Sequence, residues 1–361
     1  MAFTNLVRKI NEKSVTACMR DGKAHTKQEL AGLTGLSFPT VGKLVEELAD
    51  GGMLCRLGTK QDSPGGRRAE VYRLNADFAH MLLMFMQGDT VFYRICDAMG
   101  AVKSEGHKRR GEGPSKSGDA LPPLAGMGGF LWSCAKEAAA ADGKISAVSV
   151  GIPGSMHNGT VCCIDGYPGM AGQNIAAGLS DALGMPVAAG NNMSFTAVGM
   201  ARKLGRRGGS GSQAEPGETT GQGKEPGGGT LVCLHLADTG PGMGAVVNGK
   251  ALEGFCGFQG EVGFMPLYGE ENVQKIALDG FRRVPPGECL GKTAACICTV
   301  LNPEQIVCYL EPESPGLAEE IVRHCGRYLP AYAMPRFVFD RNYRDDYFHG
   351  LAVTGLELIY G

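Results

Sequence analysis

The segment from Thr26 to Arg68 constrains this chain more than any other. Thr26-Lys27-Gln28-Glu29-Leu30-Ala31 sets a hydroxyl three residues before a glutamate, the spacing of a capping box that opens a helix. In Leu33-Thr34-Gly35-Leu36, the glycine supplies a sharp turn that lets two helices pack steeply. Ser37 is a second cap, and Pro39 is tolerated in a first turn, where no amide donor is needed. Leu30 and Leu33 are expected to face inward, against Val41, Leu44, Val45 and Leu48. Two strand-like runs, at 53–56 and 71–74, flank a tip from Gly58 to Arg68 that carries Lys60, Arg67 and Arg68 and contains Pro64-Gly65-Gly66-Arg67-Arg68. The pattern predicts a helix-turn-helix with a basic wing, whose second helix would enter a major groove of double-stranded DNA. The expected contact set is Thr26, Ser37, Phe38, Thr40, Lys43, Lys60, Arg67 and Arg68. Ser37, Phe38 and Thr40 suit base edges, whereas Lys43, Arg67 and Arg68 suit phosphates or the minor groove. A preceding helix over about residues 5–20 follows from Leu6, Ile10, Val15 and Met19 and is stopped by Asp21-Gly22.

At 361 residues the chain exceeds one small core. The expected division is 1–76 for the winged helix and 77–361 for a second domain. Charge follows the same division. Residues 1–75 hold 12 Lys and Arg against 8 Asp and Glu, and the remainder holds 23 against 29. A mildly basic head on an acidic body suits a DNA-contacting module joined to a domain that does not touch DNA. The 13 cysteines are odd in number and lack framework spacing, which points to reduced, buried thiols. The N-terminus shows no leader pattern and no apolar run reaches spanning length, so the expected setting is cytoplasmic, with no membrane.

Beyond Asp77 the texture becomes that of an α/β fold. Residues 81–86, 90–97 and 100–102 predict a strand meander, and 121–141 a helix. An apolar strand at 145–150 ends in Gly151-Ile152-Pro153-Gly154, at a strand's carboxyl end where open α/β sheets place ligands. A helix at 175–183 and a strand at 185–189 lead to Asn191-Asn192 and a small-residue helix at 195–204. Residues 206–229 are low complexity without an apolar anchor and are expected to be a disordered insertion within one domain. A strand at 231–236, a tight glycine turn at Gly240–Gly244 and a returning strand follow. The tail alternates helices at 293–301 and 317–329 with strands at 306–310 and 336–340, and a last helix covers 350–359.

These pieces, in this order and over nearly the whole chain, resemble the ROK family of repressors, open reading frames and sugar kinases. Gly65-Gly66-Arg67-Arg68 followed by Arg73-Leu74-Asn75 is similar to the wing of the repressor branch. Gly151–Gly154, Asn191-Asn192, the Gly240–Gly244 stretch and Gly260-Glu261-Val262-Gly263 fall where the family has its sugar-domain motifs. The resemblance implies a two-lobed actin-like (ribonuclease H-like) sugar kinase fold behind the winged helix. It also implies sugar-binding positions at Gly154, Asn191, Asn192 and Glu261.

Three departures bear on activity. Where the family's kinases have an Asp-x-Gly-Gly-Thr phosphate loop, this chain has Met86-Gln87-Gly88-Asp89-Thr90, without paired glycines. The family's base is the Asp of an Asn-Asp pair, and Asn192 stands there; an amide cannot accept the proton. The family's zinc-ligating His is Phe264, and residues 268–288 hold no cysteine. Cys296 and Cys298 lie two apart in a helical run and would point to different sides, so no zinc cofactor is expected. The expectation is a DNA-binding regulator, of repressor type, whose kinase-like body is catalytically inert. The body would serve for assembly as a homodimer or homotetramer and for sensing a sugar or sugar-phosphate effector. A divergent sugar or amino-sugar kinase is the alternative, with Asp89 or Asp165 as its base. A third reading has the winged helix bind protein.

Overall fold

The computed structural model describes residues 2–61, 68–111, 124–164, 166–167, 169–208, 229–237, 240–310 and 316–361. The chain opens with α1 (Ala2–Met19), β1 (His25–Thr26), α2 (Lys27–Thr34), α3 (Phe38–Asp50), β2 (Leu54–Gln61) and β3 (Arg68–Leu74). Three strands in the order β1-β3-β2 back the helices, giving a winged helix-turn-helix. Both predicted caps form. Thr26 Oγ1 accepts from Glu29 N while Glu29 Oε2 accepts from Thr26 N, and Ser37 Oγ accepts from Thr40 N. Gly35 ends α2 at φ 69°, a left-handed conformation that glycine adopts without Cβ strain.

Two lobes follow. The first contains β4 (His80–Gln87), β5 (Thr90–Asp97), β6 (Val102–Arg109), α4 (Gly126–Ala141), β7 (Ile145–Ile152), the hairpin β8 (Ser155–His157) and β9 (Thr160–Cys163), α5 (Ile175–Leu183) and β10 (Val187–Asn191). The helix α6 (Asn192–Gly208) then crosses to the second lobe. That lobe contains β11 (Thr230–Ala237), β12 (Gly240–Val247), β13 (Lys250–Ala251), α7 (Val273–Leu278), α8 (Pro286–Leu301), β14 (Gln305–Leu310), α9 (Leu317–Cys325) and β15 (Arg336–Asp340). The chain closes with α10 (Tyr343–Tyr360). The sheets run β6-β5-β4-β7-β10 and β13-β12-β11-β14-β15. Each is an antiparallel meander extended by two parallel strands on the side of its first strand, so the lobes share one topology. Of the low-complexity stretch at 206–229, residues 206–208 continue α6, against expectation, and 209–228 lie outside the described residues. The elements on either side of it, α6 and β11, pack together in one core.

The unbroken apolar run of β4 follows from burial on both faces. Met81, Leu83 and Phe85 enter the core shared with α6, α10 and the second sheet, while Leu82, Met84 and Met86 enter the core under α4 and α5. Helices α6 and α10 are thus layered between the two sheets. Inside that layer the Asp346 carboxylate is wholly buried. It accepts from Tyr309 Oη at 2.8 Å and pairs with Lys203 Nζ at 3.0 Å, which also reaches Asp340 at 3.3 Å. Burial alone would raise the carboxyl's pKa. Hydrogen bonding to His349, Lys203 and Tyr309 outweighs it and holds the group below the ordinary value of 3.8. A depressed carboxyl stabilises the fold above its unfolded pKa, and that contribution fades as the pH falls through the folded value. Asp346→Asn should therefore cost about 2 kcal/mol at neutral pH. The gap to the parent chain should narrow in denaturant unfolding repeated below about pH 4.

Several expectations need correction. Gly240–Gly244 is not a turn: it is the first half of β12. A Cβ on Gly244 would overlap the Met193 carbonyl, so the glycines let the start of α6 lie directly on the strand. Leu33 is 59% exposed and does not face inward, because the chain turns at Gly35 and Leu36 supplies the packing contact. Leu6 and Ile10 are also exposed, so only Val15 and Met19 anchor α1. The predicted last helix begins at Tyr343, and the predicted small-residue helix at Asn192. The short helix α7 was not anticipated.

Candidate nucleic-acid face and interlobe cavity

On the winged helix, cations fall into two groups. Lys27 and Arg56 both pair with Glu46, which also accepts from Tyr72 Oη at 2.9 Å. Hydrogen bonds from Lys27, Arg56 and Tyr72 hold the Glu46 carboxyl down to about 2. These charges are spent in clamping α2, α3, β2 and β3 together. Lys43 instead points outward from α3, its side chain 79% exposed and 4.0 Å from Glu47. Arg68, at the start of β3, is also exposed. Ser37 and Phe38 are exposed at the start of α3, and half-buried Thr40 shares a 2.8 Å hydroxyl contact with Ser37. Thr26 must be removed from the outward set: it is 1% exposed and its hydroxyl is committed to the cap. Lys60 lies on β2, while Arg67 lies outside the described residues.

Between the lobes is a cavity of about 410 Å3. Its walls come from the end of β4 (Phe85–Gly88), the β7 exit (Pro153, Gly154), the β10–α6 junction, the first half of β12 and the Gly260–Phe264 turn. Gly154, Asn191, Asn192 and Glu261 all line it, so the four positions named from the sequence converge here. Asn191 is occupied structurally. Its Nδ2 donates to Gly154 O at 2.8 Å, and its Oδ1 accepts from Met193 N and Ser194 N, capping α6. Asn192 Nδ2 donates to Tyr343 Oη at 3.2 Å. Half-buried Glu261 precedes a single 3₁₀ turn over Val262–Phe264.

Sequence reasoning missed the wall contributed by α10 and β11. Tyr343 and Tyr347 sit one helical turn apart, and Tyr343 stacks on His235 with ring centroids 4.1 Å apart. Tyr347 stacks on Phe85 at 4.5 Å. Half-buried Tyr167 meets the Gly88 backbone at the β4–β5 turn, the place where a phosphate loop would open; desolvation raises its hydroxyl pKa. The Tyr343–Tyr347 spacing is the one available signal, but it fits any buried helical face. Cys289 and Cys298 are buried on α8, Cys296 is half-buried there, and Phe264 is partly exposed. Among the described residues no three His, Cys, Asp or Glu side chains gather as a metal site. No helix among them is long and apolar enough to cross a membrane.

No protein-family model and no curated protein sequence matches the chain. Solved structures do. A ROK family transcriptional regulator, a homolog of the E. coli Mlc protein, superposes with a TM-score of 0.70 at 15% identity, covering 98% of this chain and 97% of that one. The ROK hexokinase from Thermus thermophilus gives 0.56 at 19% identity over 78% of this chain and all of its own. A ROK family glucokinase from Streptomyces griseus, solved with glucose and AMPPNP, gives 0.54 at 15% identity over 77% of this chain and all of its own. The chain therefore has the fold of a ROK regulator, a winged helix-turn-helix followed by a two-lobed, actin-like sugar kinase body.

Proposed function

We propose that this chain is a ROK family transcriptional regulator that binds double-stranded DNA through its winged helix. Its kinase-like body serves as an effector-binding and assembly module, without phosphotransfer. The observation that carries this reading is the match to a regulator over 98% of the chain, the winged helix included, where the ROK hexokinase covers 78%. Two features of the site support it. The α3 face formed by Ser37, Phe38 and Lys43 is open, with Arg68 exposed on the wing, while the inner cations are neutralised. In the cavity, Asn192 stands where the family has its base and is hydrogen-bonded to Tyr343. By analogy with symmetric helix-turn-helix readers, the working form is a homodimer or homotetramer on paired half-sites, acting as a repressor.

Mobility shifts on genomic fragments test the DNA-binding reading. The parent chain should bind specific fragments with affinity that falls steeply with salt. Lys43→Ala/Arg68→Ala should reduce the magnitude of the log K against log salt slope by about 2 while leaving the fold intact. Binding absent at low salt, or indifferent to both cations, would favour a protein partner for the winged helix.

The divergent kinase is the second reading, favoured by several ROK sugar kinases among the structural matches. Its candidate base Asp89 is exposed on the β4–β5 turn, and Asp165 lies outside the described residues. A coupled ATPase assay with hexoses and N-acetylhexosamines should show no sugar-dependent turnover. Saturable turnover abolished by Asp89→Asn or Asp165→Asn would establish the kinase instead.

A further inference from the structure

The chemistry of the interlobe cavity narrows what it can hold. Among its described lining residues there is no Lys or Arg, and Glu261 is the one carboxylate. Recognition of a phosphate group uses cationic side chains, a helix N-terminus or a glycine-rich nest. None is free here. The α6 amides of Met193 and Ser194 are taken by Asn191, and the Gly88 backbone meets the Tyr167 hydroxyl. A phosphorylated ligand would bring its charge into a site whose fixed charge is already negative, without a partner to offset desolvation.

The walls are instead rich in rings. Phe85, Tyr167, Tyr343 and Tyr347 line the interior. At one wall Phe264 is 44% exposed and packs against Phe258, itself 48% exposed, with centroids 5.2 Å apart. A pair of half-exposed phenyl rings beside a cavity leaves apolar surface in water that a flat ligand would cover. Asn192, Glu261, Gln87 and Gln274 supply polar groups to the same volume. A volume of about 410 Å3 falls within the ~300–1,000 Å3 range of small-molecule pockets.

Building on the regulator reading above, we infer that the effector is an uncharged glycoside with an aromatic or similarly flat apolar aglycone. Its sugar hydroxyls meet Asn192, Glu261 and Gln274 and its flat part lies toward Phe264. Phosphorylated sugars and nucleotides are excluded. The aglycone distinguishes this ligand from a free hexose, and the missing cations distinguish it from a sugar phosphate.

Calorimetric titration of the full chain tests this without DNA, so its outcome is separate from that of the mobility shifts. The probes are phenyl glucoside, phenyl mannoside and phenyl N-acetylglucosaminide, against glucose, glucose 6-phosphate and ATP with magnesium. At least one phenyl glycoside should bind about tenfold or more tighter than its free sugar, since a buried aromatic ring is worth that much. Glucose 6-phosphate and ATP should give no saturable heat. Phe264→Ala, a change at a partly exposed position, should erase the phenyl advantage while circular dichroism stays unchanged. The inference is overturned if glucose 6-phosphate or ATP binds as tightly as the best phenyl glycoside. It is equally overturned if no phenyl glycoside binds, or if Phe264→Ala leaves the phenyl advantage intact.

Discussion

Gly199→Val should abolish the native fold. Gly199 lies in the middle of α6 and Gly350 in α10, where the two helices cross. A Cβ on Gly199 would overlap the Asp346 carbonyl, and a Cβ on Gly350 would overlap the Phe195 carbonyl. The obstruction on both sides is backbone, which cannot move to another rotamer. Overpacking in a core costs typically about 1–3 kcal/mol when side chains can adjust, and here the cost should lie at or above the upper end. Gly199→Ala should lower the midpoint of thermal unfolding by about 6–12 °C, taking about 3 kcal/mol at 2–4 °C per kcal/mol. Gly199→Val should give no cooperative transition. The control is Gly42→Ala on α3, where a Cβ meets nothing within 4 Å. It should stabilise by up to about 1 kcal/mol through helix propensity alone. Equal responses at the two positions would mean that the crossing does not hold the layer between the sheets. That layer also positions the cavity, because α6 begins at Asn192 and α10 begins at Tyr343.

This helix crossing also shows what the sequence made legible and what it hid. Helix caps are local, so the Thr26–Glu29 capping box and the Ser37 N-cap are legible in the sequence and form as expected. The meanders were legible because strand runs are short and punctuated by glycine. Gly240–Gly244, the first half of β12, looks like a turn in the sequence because its glycines serve contact with Met193, a distant residue, and not local curvature. The first turns of α10 look like surface: Tyr343-Arg344-Asp345-Asp346 carries three charges in four residues. Asp346 is nevertheless wholly buried, because Lys203 and Tyr309 arrive from other elements. Gly154, Asn191, Asn192 and Glu261 were found because motif order placed them in one cleft. The aromatic wall of Tyr343, Tyr347 and His235 was missed because it assembles from two lobes with no shared spacing. Thr26 is both a cap and a contact candidate in the sequence, and its 1% exposure leaves it only the cap.

Tyr360→Ala should detach the winged helix from the body while leaving both lobes folded. Helix α10 has 18 residues and so is about 27 Å long. Tyr343 and Tyr347 at its start line the interlobe cavity. Val353, Thr354 and Glu357 farther along line a separate groove of about 750 Å3, which shares only Asn191 with that cavity among the described residues. At its end, Tyr360 is buried in the core of the winged helix beside Val15, Met19 and Leu54, with Leu356 and Ile359 packed against that core. The Tyr360 hydroxyl donates to Ala98 O on the β5–β6 turn at 2.8 Å, and the Arg20 guanidinium lies over its ring at 4.6 Å. One helix therefore joins the cavity, the groove and the winged helix. Truncating a buried aromatic costs about 3–5 kcal/mol, and here that cost falls on the junction. Hydrogen exchange should speed up in α1, α2 and α3, while β4, β7, β11 and β14 keep their protection. Tyr360→Phe, which loses only the bond to Ala98, should show about 1 kcal/mol of this effect. If all elements lose protection together, the winged helix and body form a single cooperative unit. If none does, α10 carries no strain between them. Selective loosening would establish α10 as the mechanical link between the cleft and the winged helix.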